Sequence, residues 1–158
     1  MSAGRPGEVE GLALPARGTG LPQIDMVRGH AELLRLCDEL EAIADTLPAE
    51  LDQLRCLAAA SRLAPVLFAC HRFEEGSIFP AYESVTGRAD IAARLRREHV
   101  EDECAAQELA EALREPASGR PVGNCEALGY MLRAFFGSVR RHVAFERDHV
   151  LPAIGAAT

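Results

Sequence analysis

At 158 residues the chain suits one domain with a sizeable core, and its formal net charge of -7 argues against a nucleic-acid footprint, which needs clustered Lys and Arg. With no Trp, 5% aromatic and 48% hydrophobic residues, the core must be built mainly from Leu and Ala, a composition for closely packed helices. No apolar run approaches the roughly 20 residues that span a bilayer, no basic segment precedes an apolar core at the N-terminus, and the five cysteines show no Cys-x-x-Cys spacing. These features predict a cytoplasmic protein with reduced, mostly buried thiols and no membrane partner.

Residues 1–24 are dense in Gly and Pro, from Gly4 to Pro22, and are expected to form a disordered arm. The domain itself is expected over 25–153. Asp25 reads as an N-cap, after which Val27, His30, Leu33, Leu34, Cys37, Leu40, Ala44 and Leu47 keep helical spacing to Pro48, predicting a first helix over 25–46. The second, over 49–83, carries Leu63, Leu67, His71, Glu75 and Ile78 on one stripe, with Pro65 expected to kink or divide it. After the break at Thr86-Gly87-Arg88-Ala89, a third helix carries Ile91, Leu95, His99, Glu103, Ala106, Leu109 and Leu113 and ends before Pro116. A Pro/Gly/Ser-rich loop over 116–123 leads to the fourth, from Asn124, with Leu128, Leu132, Phe135, Val139, His142, Glu146 and Val150 in register until about Pro152. Four amphipathic helices joined by short loops predict an all-α, up-down-up-down four-helix bundle.

Two segments repeat one pattern: His71-Arg72-Phe73-Glu74-Glu75 leading to Phe79-Pro80-Ala81, and His142-Val143-Ala144-Phe145-Glu146 leading to Leu151-Pro152-Ala153. Each contains a His-x-x-x-Glu, and residues four apart on a helix project from nearly one face, so an imidazole and a carboxylate can aim at one point. Every helix carries a histidine on its apolar stripe: His30, His71, His99 and His142. A lone histidine on such a face is usually a hydrogen-bonded core residue. Four of them with Glu75, Glu146 and Glu103, which completes a third His-x-x-x-Glu after His99, would leave several polar groups buried together, and a metal pair supplies their partners. Mixed nitrogen and oxygen ligands suit iron, with manganese or zinc as substitutes.

In motif order the chain resembles the haemerythrin-like family, the group with the HHE cation-binding domain: His30, then His71 with Glu75, then His99, then His142 with Glu146, over about residues 26–153. The resemblance implies two non-haem iron ions with an oxo or hydroxo bridge inside the bundle, open to a small ligand. By the same resemblance His30 and His71 would bind one iron, His99 and His142 the other, and Glu75 and Glu146 would bridge them. The oxygen-carrying members differ in offering His-x-x-x-His on the third helix, where this chain has Glu103, and in having one more residue between the last histidine and an aspartate. An extra anionic ligand at Glu103 should favour ferric iron, and so redox sensing or peroxide turnover over oxygen storage.

Two functions remain open at the level of sequence: a di-iron module that binds or senses oxygen, nitric oxide, peroxide or iron itself, with a separate protein partner for any output, and a di-iron enzyme that disproportionates peroxide in a catalase-like reaction or otherwise reduces reactive oxygen species. No catalytic residue is assigned. Glu146 and His149 also form a ferritin-type Glu-x-x-His, but Ile78 stands where the second copy would need a histidine; His149 is expected to cap the bundle end. Glu74 is expected as an exposed neighbour of Glu75, with an outer or alternative ligand role as the other reading, and Tyr82 and Tyr130 are expected to pack. The Arg94, Arg96, Arg97 and Arg140, Arg141 clusters are expected to form solvated faces beside acidic neighbours.

Overall fold

The computed structural model describes residues 22–116 and 124–156, and these are helical almost throughout, with no strand among them. Helix α1 spans Pro22–Thr46 and α2 spans Gln53–Phe73. One turn of π-helix, Glu74–Ile78, joins α2 to the short α3, Phe79–Thr86. Helix α4 spans Ala89–Arg114 and α5 spans Cys125–Phe145, and a second π turn, Glu146–Val150, leads into α6, Leu151–Gly155. The four long helices pack as α1 on α2, α2 on α4, α4 on α5 and α5 on α1, closing a four-helix bundle of up-down-up-down connectivity.

The local sequence sets the helix ends. Asn124 caps α5, its side chain accepting from the amides of Glu126 and Ala127, and Asp52 caps α2 in the same way through Leu54 and Arg55. Gly87 ends α3 at φ 69°, a left-handed conformation that favours glycine, and its amide donates to the Glu83 carbonyl. Two expectations are corrected and one is narrowed. Helix α1 begins at Pro22, so Asp25 lies in its first turn and is not its cap. Of the two outcomes expected for Pro65, a kink or a division, the division does not occur: Pro65 sits inside α2. The last helix does not stop near Pro152 but passes through it to Gly155. Of the arm expected over 1–24, residues 1–21 lie outside the described residues, as do 117–123 of the expected loop.

The two π turns share a cause. Pro80 and Pro152 lack an amide and crowd the carbonyl four residues back, and a wider turn relieves that crowding. The amides of Phe79 and Leu151 accordingly reach back five residues, to the carbonyls of Glu74 and Glu146.

The core has two parts. The larger fills the bundle from Leu33 to Ala44 on α1, with Leu63 and Leu67, Leu109 and Leu113, and Leu132 and Val139 facing it. The smaller, at the other end, gathers Met26, Ile78, Phe79, Tyr82, Leu95, Val150 and Ile154. Between them lies a layer of buried polar side chains. The continuous helical run Gln53–Thr86 contains an 18-residue window long and apolar enough, by length and composition, to cross a membrane, with a mean hydropathy of 1.2. Its Leu63, Leu67, Cys70 and His71 are nevertheless buried in the bundle, as in a core helix.

Candidate metal centre

The polar layer is built from one histidine on each long helix. His30, His71, His99 and His142 are all buried, together with Glu74 and Glu146. Four of these, Glu74, His99, His142 and Glu146, offer nitrogen and oxygen atoms that all lie within 4.8 Å of one another. His30 adjoins them: its Nε2 is 3.0 Å from Glu74 Oε1 and 3.0 Å from Glu146 Oε2. The other oxygen of each carboxylate faces the opposite side, Glu74 Oε2 lying 3.2 Å from His99 Nε2 and Glu146 Oε1 3.2 Å from His142 Nε2. Each carboxylate therefore spans two positions, one beside His30 and one beside the His99 and His142 pair. The His71 ring stacks on that of His99, with centroids 3.7 Å apart.

Carboxylates also occupy the outward nitrogens. Nδ1 of His71 is 2.9 Å from Glu103 Oε1, Nδ1 of His99 is 2.7 Å from Glu75 Oε1, and Nδ1 of His142 is 2.9 Å from Glu98 Oε2. A neutral imidazole so placed donates from Nδ1 and turns the lone pair of Nε2 inward. Yet His99 Nε2 and His142 Nε2 approach to 3.1 Å, and Glu146 Oε1 is buried without a hydrogen-bond partner. Lone pairs and carboxylates that converge with no positive charge between them are costly to bury, and a cation at their focus removes the cost. The donor set of imidazole nitrogens and carboxylate oxygens fits iron, manganese or zinc.

In the metal-free protein, protons take up part of this demand. Burial acts to lower His30, but hydrogen bonds to Glu146 and Glu74 outweigh it and raise the imidazole to about 9. His142 is likewise raised to about 9, burial being overcome chiefly by Glu146. Burial pushes against ionisation of Glu146 too, yet the adjoining imidazoles of His142 and His30 hold its carboxyl down to about 2. His71 falls to about 3, through burial first and the neighbouring His99 second, so its inner nitrogen stays free of protons at neutral pH.

Among the residues singled out in the sequence, His99, His142 and Glu146 meet at the focus, with His30 adjoining its two carboxylates and His71 stacked on His99. Glu75 and Glu103 do not reach it. Both are partly exposed, with side chains 41% and 33% accessible, and each contacts the outer nitrogen of a histidine. Glu74, expected at the exposed edge of the stripe, is instead 2% exposed and inside the cluster. A signal for it was present: counted back from Pro80 and Pro152, the two Phe-Glu pairs align Glu74 with Glu146, six residues before each proline. Glu98 was also missed, as was the buried Asp102, which accepts a bond from Ser138 at 3.0 Å. His149 is exposed and meets the Phe145 ring at a tilt rather than joining the cluster.

Tyr82 packs in the smaller core as expected, whereas Tyr130 is 68% exposed. All five cysteines are free thiols, and Cys37, Cys56 and Cys70 are buried. Three of the five clustered arginines pair with acidic neighbours, Arg140 with both Asp38 and Glu41 at 2.7 Å, Arg96 with Glu83 at 2.8 Å and Arg94 with Glu98 at 3.3 Å.

A comparison with curated proteins gave no match. The family model described as Hemerythrin HHE cation binding domain matches residues 23–154, the whole bundle with all the residues of the polar layer. The chain belongs to the haemerythrin HHE cation-binding domain family.

Proposed function

We propose that the bundle holds two non-haem iron ions and binds a small ligand, oxygen, nitric oxide or peroxide, at that pair. The observation that carries this reading is the split of each buried carboxylate between two positions, Glu74 and Glu146 each directing one oxygen toward His30 and the other toward His99 or His142. One ion would be held beside His30, with His71 as its second imidazole, the other by His99 and His142, and Glu74 and Glu146 would bridge them. Glu74 replaces Glu75 in this assignment. Glu75, Glu98 and Glu103 become the groups that orient three of the imidazoles and raise their basicity through Nδ1.

When bound, such a metal pair supplies electrons and an open coordination position. The chain's own groups bury it inside the bundle and surround it with carboxylates. Three histidines backed by carboxylates and two bridging glutamates favour the more highly charged ferric state, which supports redox sensing over oxygen storage. Five free thiols fit a reducing, cytoplasmic setting.

The test is metal analysis with absorption spectra of protein from an iron-replete host, recorded reduced and again after exposure to air. Two irons per chain with near-ultraviolet oxo-bridge bands are expected, and less than one metal per chain would defeat the reading. Incubation with hydrogen peroxide separates the two functions: stoichiometric ligand binding supports the module, and sustained oxygen release supports a catalase-like enzyme.

A further inference from the structure

A crevice of about 120 Å³ opens between α1 and α2 and has Glu74, one of the cluster's two buried carboxylates, in its lining. Its walls are partly apolar, with Met26 on α1 and Val66 and Phe73 on α2. Asp25 and Glu32 also line it, and Glu32 is exposed. The helices come close at Gly29 and Cys70. A Cβ built on Gly29 would stand 3.1 Å from Cys70 Sγ, so a side chain there would narrow the passage. The other large depressions do not lead to the same place. One of about 500 Å³, lined by Leu47, Gly129 and Arg133, touches no residue of the cluster, and one of about 360 Å³ meets His142 beside Glu98, the partner of its outer nitrogen.

We propose that this crevice is the route by which a small neutral diatomic molecule, dioxygen or nitric oxide, reaches the metal centre, and that the Gly29 and Cys70 pair sets its width. The proposal rests on the di-iron reading of the centre. Its volume exceeds that of a water molecule, about 30 Å³ in the liquid, several times over, which suits a diatomic. The apolar part of the wall accepts an uncharged guest without loss of hydration, while the exposed Glu32 disfavours anions.

Two experiments test it. Metal-free crystals pressurised with xenon should show the gas between Gly29, Cys70 and Phe73. Stopped-flow mixing of reduced, iron-loaded protein with nitric oxide should show Gly29→Val slowing association and dissociation alike, each by about tenfold, because an overpacked constriction raises the barrier in both directions. The equilibrium affinity should stay unchanged. Gly29→Ala should act in the same direction more weakly, and adding Cys70→Ala should restore the rates. Wild-type rates in a folded, iron-replete Gly29→Val protein would overturn the route, as would slowed iron uptake with unchanged nitric oxide kinetics. Failure of the wild-type protein to bind nitric oxide would overturn the reading of the centre, whereas nitric oxide binding with xenon only elsewhere would overturn the route alone.

Discussion

Replacing Glu146 with glutamine tests the polar layer in the metal-free protein, before any ion is added. The side chain is fully buried, with Oε2 3.0 Å from His30 Nε2 and Oε1 3.2 Å from His142 Nε2. Glutamine keeps the volume and removes the charge that holds both imidazoles protonated at neutral pH. Breaking a buried charge pair from one side costs roughly 3–5 kcal/mol. At about 2–4 °C per kcal/mol for a domain of this size, Glu146→Gln should lower the melting temperature at pH 7 by roughly 6–20 °C. Glu75→Gln is the matched control: its carboxylate is 41% accessible, so its pairing with His99 should contribute no more than about 1 kcal/mol. Thermal melts followed by circular dichroism on chelator-treated protein give both numbers. Equal losses in the two variants, or a Glu146→Gln melt within a degree of wild type, would refute the reasoning.

The metal-free protein should be most stable near pH 6.5. His30 and His142 are raised to about 9 in the fold, so their contribution is complete below 6.5 and is lost as pH climbs through 9, while His71, lowered to about 3, contributes above 6.5 and loses that contribution as pH falls. Urea titrations from pH 5 to 9.5 should therefore fall on the alkaline side by roughly 1–3 kcal/mol per pH unit, one to two protons' worth; a flat or rising profile there would contradict the assignment. Glu103→Gln, which weakens the acceptor on His71 Nδ1, should weaken metal binding by about 10–100-fold and raise the reduction potential, as read by metal titration and spectroelectrochemistry. Asn124→Ala removes the cap of α5 and should cost about 1 kcal/mol by urea denaturation with metal content unchanged.

Helical periodicity made the bundle legible, because each long helix presents a continuous apolar stripe with its histidine on it. The start of α5 at Asn124 was readable from the Pro/Gly/Ser-rich sequence before it, while Asp25 was read as a cap although Pro22 already starts the helix. The histidines of the buried polar layer were equally legible. Its first buried glutamate was not, because positions three and four beyond His71 both fall near one face of a helix, and spacing cannot choose between Glu74 and Glu75. The choice depends on how the helix is wound where the π turn begins, which is a response to Pro80 and not to any residue near His71. Glu98 was invisible for a related reason, since its role appears only when α4 packs against α5.

Diffraction from crystals of iron-loaded protein, with anomalous data at the iron edge, tests the central claim most directly. Two peaks should appear, one beside His30 and one beside His99 and His142, with Glu74 and Glu146 each reaching both and Glu75 remaining on the outer nitrogen of His99. A single peak, or Glu75 between the ions with Glu74 turned away, would contradict it.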